Sequence, residues 1–158
     1  MPLPHTPAAA SIARVLVRTA LAESPCTEPD AHHDRPHPSP TERDTAELLT
    51  AELVTNAVEH TARHAPLELV LEVLPTSCRV EVRDHDPTPV AGLTRSGSLE
   101  EPDPLSERGR GLSLVRRLSS SAGCRTTKLG KTVWFTLPLT NRSRARLTPA
   151  RPREEALE

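Results

Sequence analysis

The stretch ELVTNAVEHT, residues 52–61, decides how the rest of the chain is read. Glu52, Asn56 and His60 recur at every fourth position, and Leu53, Val54, Ala57 and Val58 fill the places beside them. On an α-helix this gives one polar row, with about 6 Å of rise between successive members, bordering one apolar stripe. A carboxylate, a carboxamide and an imidazole in such a row suit a metal–nucleotide site at a helix edge. The carboxamide oxygen is a hard, neutral ligand for Mg²⁺, and the carboxylate can take the proton of an attacking hydroxyl. The same row equally suits the wet border of an amphipathic helix, so the flanking segments have to choose between the two.

Working outward, Leu48 and Leu49 extend the apolar stripe, which predicts a helix from a cap at Thr41 to about Arg63. LELVLEVL and CRVEVRD then alternate apolar and polar residues with a period of two, separated by Pro75, Thr76 and Ser77, which is the pattern of a hairpin. Upstream, Ile12, Val15, Leu16, Thr19 and Ala20 recur at helical spacing between Ala8 and Glu23, predicting an amphipathic helix that needs a sheet to cover. Downstream, Gly111 opens LSLVRRLSSSA, read as a third helix, and CRTTKL and TVWFTLPL read as two strands joined at Gly130 and Lys131. The order helix, helix, strand, strand, helix, strand, strand predicts an α+β fold of two layers, with helices on one face of a mostly antiparallel sheet. One domain over residues 1–140 is expected, interrupted by a Pro-rich loop at 25–40 and a Pro- and Gly-containing lid at 87–108, with a frayed tail at 141–158.

Composition narrows the function classes. Lys plus Arg number 20 against 21 acidic residues, so no field of one sign draws in nucleic acid or an anionic membrane. Arg14 and Arg18 interrupt the apolar positions near the N-terminus, and no apolar run reaches membrane-spanning length, which predicts a cytoplasmic protein. The 3 cysteines, Cys26, Cys78 and Cys124, lie far apart with no CxxC pair, as reduced structural thiols would. His32, His33 and His37 fall in the Pro-rich loop, where a solvated loop is the simpler reading than a metal site.

Three further segments bear on the choice. RDHD ends the second strand of the hairpin, placing Asp84 at the mouth of the sheet, where an acceptor can read the exocyclic amine of a base. GRGL places Gly109 and Gly111 at a helix start, where bare backbone N–H groups and the helix dipole suit phosphate, although a plain helix-start turn explains them as well. GKTVWF places Lys131 and Thr132 at the start of the last strand, with the only Trp and the only Phe immediately after, the aromatics reading as core.

Together, and in this order, these segments resemble the GHKL (HATPase_c, Bergerat-fold) ATPases, and within them the anti-sigma-factor serine kinases. ELVTNAVEH resembles their N box, RDHD stands in the place of the first glycine box, GRGL resembles the second, and GKTVWF is similar to the terminal strand; the resemblance runs from about Ala8 to Leu139. It implies ATP and Mg²⁺ as ligands, Glu52 as the catalytic base, Asn56 as the Mg²⁺ ligand and Asp84 as the carboxylate that reads adenine. His60, Arg108, Gly109, Arg110, Gly111, Leu112 and Thr132 are implied as further nucleotide-binding positions, with 87–108 as the ATP lid. It also implies phosphorylation of a serine on a STAS-type anti-anti-sigma partner, binding of a sigma factor, and a homodimer among the assemblies to test. Two departures weaken the match. Asp86 and Thr88 stand where the glycines of the first box belong, and Glu59 stands where many relatives carry a basic residue. They favour a second reading, a non-catalytic ATP-sensing module that holds a protein partner. A third reading, the catalytic half of a histidine kinase, needs an upstream helical hairpin with an acceptor histidine, which the loop-rich residues before Thr41 do not supply.

Overall fold

The alternating segments form the hairpin that centres the sheet. In the computed structural model, which describes residues 1–22, 38–61, 65–90, 93 and 110–140, the chain runs β1 (Pro2–Leu3), α1 (Ala8–Ala22), α2 (Pro40–His60), β2 (Leu67–Leu74), β3 (Ser77–Asp84), α3 (Arg110–Leu118), β4 (Ser121–Thr127) and β5 (Gly130–Pro138). The strands lie in the order β1-β2-β3-β5-β4, and every neighbouring pair is antiparallel. Cys78, Val80 and Val82 of β3 and Val133, Phe135 and Leu137 of β5 are buried under the helices, while the residues between them face the other way. This is the α+β, two-layer arrangement expected.

Helix α2 is held at its start by Ser39, not Thr41. The Ser39 hydroxyl accepts from the Glu42 N–H at 3.2 Å, Glu42 accepts from the Ser39 N–H at 2.6 Å, and Pro40 occupies the first turn, where its missing N–H costs nothing. The helix stops at His60, short of Arg63, because Thr61 turns extended while its N–H still bonds the Ala57 carbonyl. Ala46, Leu49, Leu53, Val54 and Ala57 are buried, whereas Leu48 is exposed and Val58 half-buried.

The buried face of α1 also differs from the one expected. Ala9, Ala13, Val17 and Leu21, a strict i, i+4 row, are buried, while Ile12 and Val15 are exposed and Leu16 half-buried. Small alanines let α1 and α2 approach closely, so size rather than hydrophobicity chose the face. Arg18 crosses to α2 and pairs with both oxygens of the buried Glu47 at 2.6 and 2.7 Å.

Both turns shift by one or two residues. Leu74 pairs with Ser77, leaving Pro75 and Thr76 as the turn, and Thr127 pairs with Gly130, so β4 and β5 turn at Lys128 and Leu129 rather than at Gly130 and Lys131. Helix α3 ends at Leu118 because the serines after it change partners. Ser119 still bonds the Val115 carbonyl, but Ser120 donates to the Thr136 carbonyl of β5, and Ser121 begins β4. Phe135 is core, as expected, but Trp134 faces the other side, half-buried over Gly123 and under the Arg79 guanidinium, 4.9 Å from the ring centre. Cys78 and Cys124 are free thiols, and burial pushes the Cys78 thiol up to about 11, which keeps it unreactive. Cys26, the histidines of the Pro-rich loop and the C-terminal tail lie outside the described residues.

Candidate functional site

Packing of α3 against α2 brings the first two features together. Gly111, in the first turn of α3, faces Glu52 so closely that a Cβ on it would stand 2.1 Å from Glu52 Oε2 and 3.0 Å from Cδ. Only a residue without a side chain lets the helix start approach the carboxylate this far with Glu52 in its present rotamer. The α3 start is the positive end of the helix dipole, so it favours a negative group at this point. Val115, fully buried, with the half-buried Leu112 and Leu114, seats α3 on the core and fixes the approach.

Glu52 and Asn56 are half-buried and His60 is exposed, so the row on α2 runs from the covered α3 junction out to solvent. Glu59 is exposed on the same stretch. The described residues hold no group of three or more His, Cys, Asp or Glu that could bind a metal ion. A single carboxamide beside a carboxylate fits Mg²⁺ that keeps most of its ligands as phosphate oxygens and water. Arg110 begins α3, while Arg108, Gly109 and most of residues 87–108, the expected lid, lie outside the described residues. Of the stretch expected to form a lid, Val90 and Leu93 are buried, and the Leu93 carbonyl accepts from the Cys124 N–H of β4 at 3.2 Å.

The other end of the site is different in kind. Asp84 is the last residue of β3, and the register sets it directly across from Lys131 of β5, both on the helix-covered face. Lys131 Nζ donates to Asp84 Oδ1 at 3.1 Å and to the Asp86 carbonyl at 3.3 Å, and lies 3.0 Å from Asp84 Oδ2. The two side chains are only 2% and 1% exposed. Asp84 Oδ1 also accepts the Asp86 N–H at 2.8 Å, and Asp86 Oδ1 in turn accepts both the N–H and the hydroxyl of Thr88. Asp86 and Thr88 therefore build a closed side-chain turn at the positions where the sequence resemblance implies glycines. Gly130 is required beside it, since a Cβ there would meet the Asp84 carbonyl oxygen at 1.9 Å.

Thr132 is not brought into this group. It pairs with Arg83, half-buried on the face away from the helices, where Arg83 bonds Glu68 and Glu81. Lys131, expected where the last two strands join and the final one starts, lies against Asp84 instead. The signal was available: Lys131 shares the parity of Val133, Phe135 and Leu137, and Asp84 that of Cys78, Val80 and Val82.

No helix among the described residues is long and apolar enough to cross a membrane. The chain is similar in fold to the RsbU and RsbW domains of Rv1364c from Mycobacterium tuberculosis, with a TM-score of 0.57 and 20% identity over 88% of this chain and 31% of that one. It thus spans less than a third of that chain's length. No curated protein matches the sequence. Residues 3–137, which include the α2 row, the Asp84 strand end, the α3 start and most of β5, match the histidine kinase-like ATPase domain, and on that match the chain belongs to this family of ATPase domains.

Proposed function

We propose that the chain is an ATP-binding regulator of the anti-sigma-factor type, which phosphorylates a serine of a STAS-type anti-anti-sigma protein and holds a sigma factor in its other state. The observation that carries this reading is the contact of Gly111 with Glu52, because it sets a carboxylate at the start of a helix beside a half-buried carboxamide. In the proposed reaction the serine oxygen bonds to the γ-phosphorus as the bond to the β,γ-bridging oxygen breaks and ADP leaves. The serine proton passes to Glu52. Asn56 would hold Mg²⁺, which supplies neutralisation of the phosphate charge when bound. The α3 backbone and Arg110 would meet the phosphates.

The second reading, a binding module without turnover, is favoured by the closed Asp86–Thr88 turn and by the Lys131–Asp84 pair, since neither leaves the base end as the family pattern has it. Incubation of the protein with Mg·ATP and STAS-domain partners separates the two. Phosphoserine should form, and Glu52→Gln should slow it on the order of a hundredfold while sparing most ATP affinity. Absence of phosphoserine on every partner, with stable complexes still forming, selects the binding module.

A further inference from the structure

We infer that Lys131 determines nucleotide specificity: by holding Asp84 in a buried ion pair it withdraws the carboxylate from base recognition, so the site grips a nucleotide by its phosphates and discriminates little between bases. The inference rests on the nucleotide-binding reading above and concerns only its base end. A carboxylate that reads adenine must offer a lone pair to a neutral exocyclic amine. Here Asp84 Oδ1 already accepts the Asp86 N–H and the Lys131 ammonium, and Oδ2 lies 3.0 Å from the same charge. Oδ2 makes no aligned hydrogen bond, so it is the one oxygen a base could still address, yet it is buried and faces an ammonium.

A neutral amine donor arriving there competes with a full positive charge 3.0 Å from the same oxygen, which attracts the carboxylate more strongly than an N–H dipole does. Lys131 is also tied to the Asp86 carbonyl, so swinging it aside breaks a second bond and leaves a charge buried without its partner. The closed turn of Asp86 and Thr88 adds to this, since it keeps the Asp86 carbonyl in place as the second acceptor. Among the described residues no comparable ion pair covers the phosphate end, where Asn56 is half-buried, His60 exposed and Gly111 without a side chain.

Calorimetric titration of the intact protein with the Mg²⁺ complexes of ATP, GTP, ITP and inorganic tripolyphosphate tests this. ATP, GTP and ITP should bind within about threefold of one another, and Lys131→Thr, which frees Asp84, should raise the preference for ATP over GTP to about tenfold or more. A wild-type preference for ATP of tenfold or more overturns the inference and leaves ATP binding intact. An unchanged ratio in a folded Lys131→Thr protein overturns it as well. If Lys131→Thr does not fold, the wild-type ratio decides alone. Binding of none of the four probes to either protein overturns the nucleotide reading itself, and this inference with it.

Discussion

Gly111 and Glu52 meet at a distance that admits no Cβ, and the atom in the way is the far end of a flexible side chain. Gly130 and Asp84 meet as closely, but there the obstacle is a backbone carbonyl. The two glycines therefore fail differently when replaced.

Gly111→Ala should fold about as well as the parent protein, because Glu52 can rotate away and alanine gains up to about 1 kcal/mol of helix propensity. The displaced carboxylate should cost about tenfold to a hundredfold in phosphoryl transfer, the scale of a misplacement near 1 Å. Thermal unfolding alongside phosphoserine formation checks both halves. Loss of stability without a specific loss of activity would count against the positioning of Glu52 by α3.

Gly130→Ala should destabilise the protein by about 1–3 kcal/mol or more, since β5 must move away from the end of β3 to make room. Urea unfolding measures it.

Glu42 links the α2 cap to the end of β5. Burial alone would raise its pKa, but hydrogen bonds from the Thr140 hydroxyl, the Ser39 N–H and the Thr140 N–H outweigh this and hold it below its ordinary value of 4.5. A carboxyl whose folded pKa is depressed stabilises the fold above its unfolded pKa, and that stability is lost as pH falls through the folded value. Stability should thus decline below about pH 4.5, and Glu42→Gln should flatten that acid limb while lowering stability at neutral pH. Urea midpoints across the acid range give the comparison. Ser39→Ala should cost about 0.5–2 kcal/mol at neutral pH.

Phe135→Ala should cost about 3–5 kcal/mol and Trp134→Ala clearly less, because Phe135 is fully buried whereas Trp134 lies half-open under Arg79. Trp134 is the only tryptophan, so its fluorescence reports the sheet face away from the helices, and a soluble quencher should reach it in the native state.

Helix α2 and the β2–β3 hairpin were legible in the sequence because their periodicity runs long enough to exclude other forms. The face of α1 was not, since Ala9 and Ala13 carry little hydrophobic signal and their burial is decided by how closely α2 can approach. Strand β1, two residues long, has no period to read. At the site, the α2 row was legible, and the closeness of Gly111 to Glu52 was not, because it depends on how α3 seats on α2. The facing of Lys131 and Asp84 was not read, because the joint between the last two strands was set at Gly130 and Lys131. Moving the turn from Gly130–Lys131 to Lys128–Leu129 carries Lys131 into the strand, and parity then puts it against Asp84.

That parity also bears on how the chain avoids misregistration. Adjacent residues of β5 point to opposite faces, so a slip of one position against β3 that turns Trp134 into the space of Phe135 sets Gly130 across from Asp84. The apolar residues alone penalise this weakly, since Trp and Phe are both hydrophobic. The charge penalises it strongly: a slipped strand buries the Asp84 carboxylate with no cation beside it and expels the Lys131 ammonium to the far face. The pair thus acts as a key for strand alignment, marking the pairing of β3 with β5 that sets a cation against the buried carboxylate.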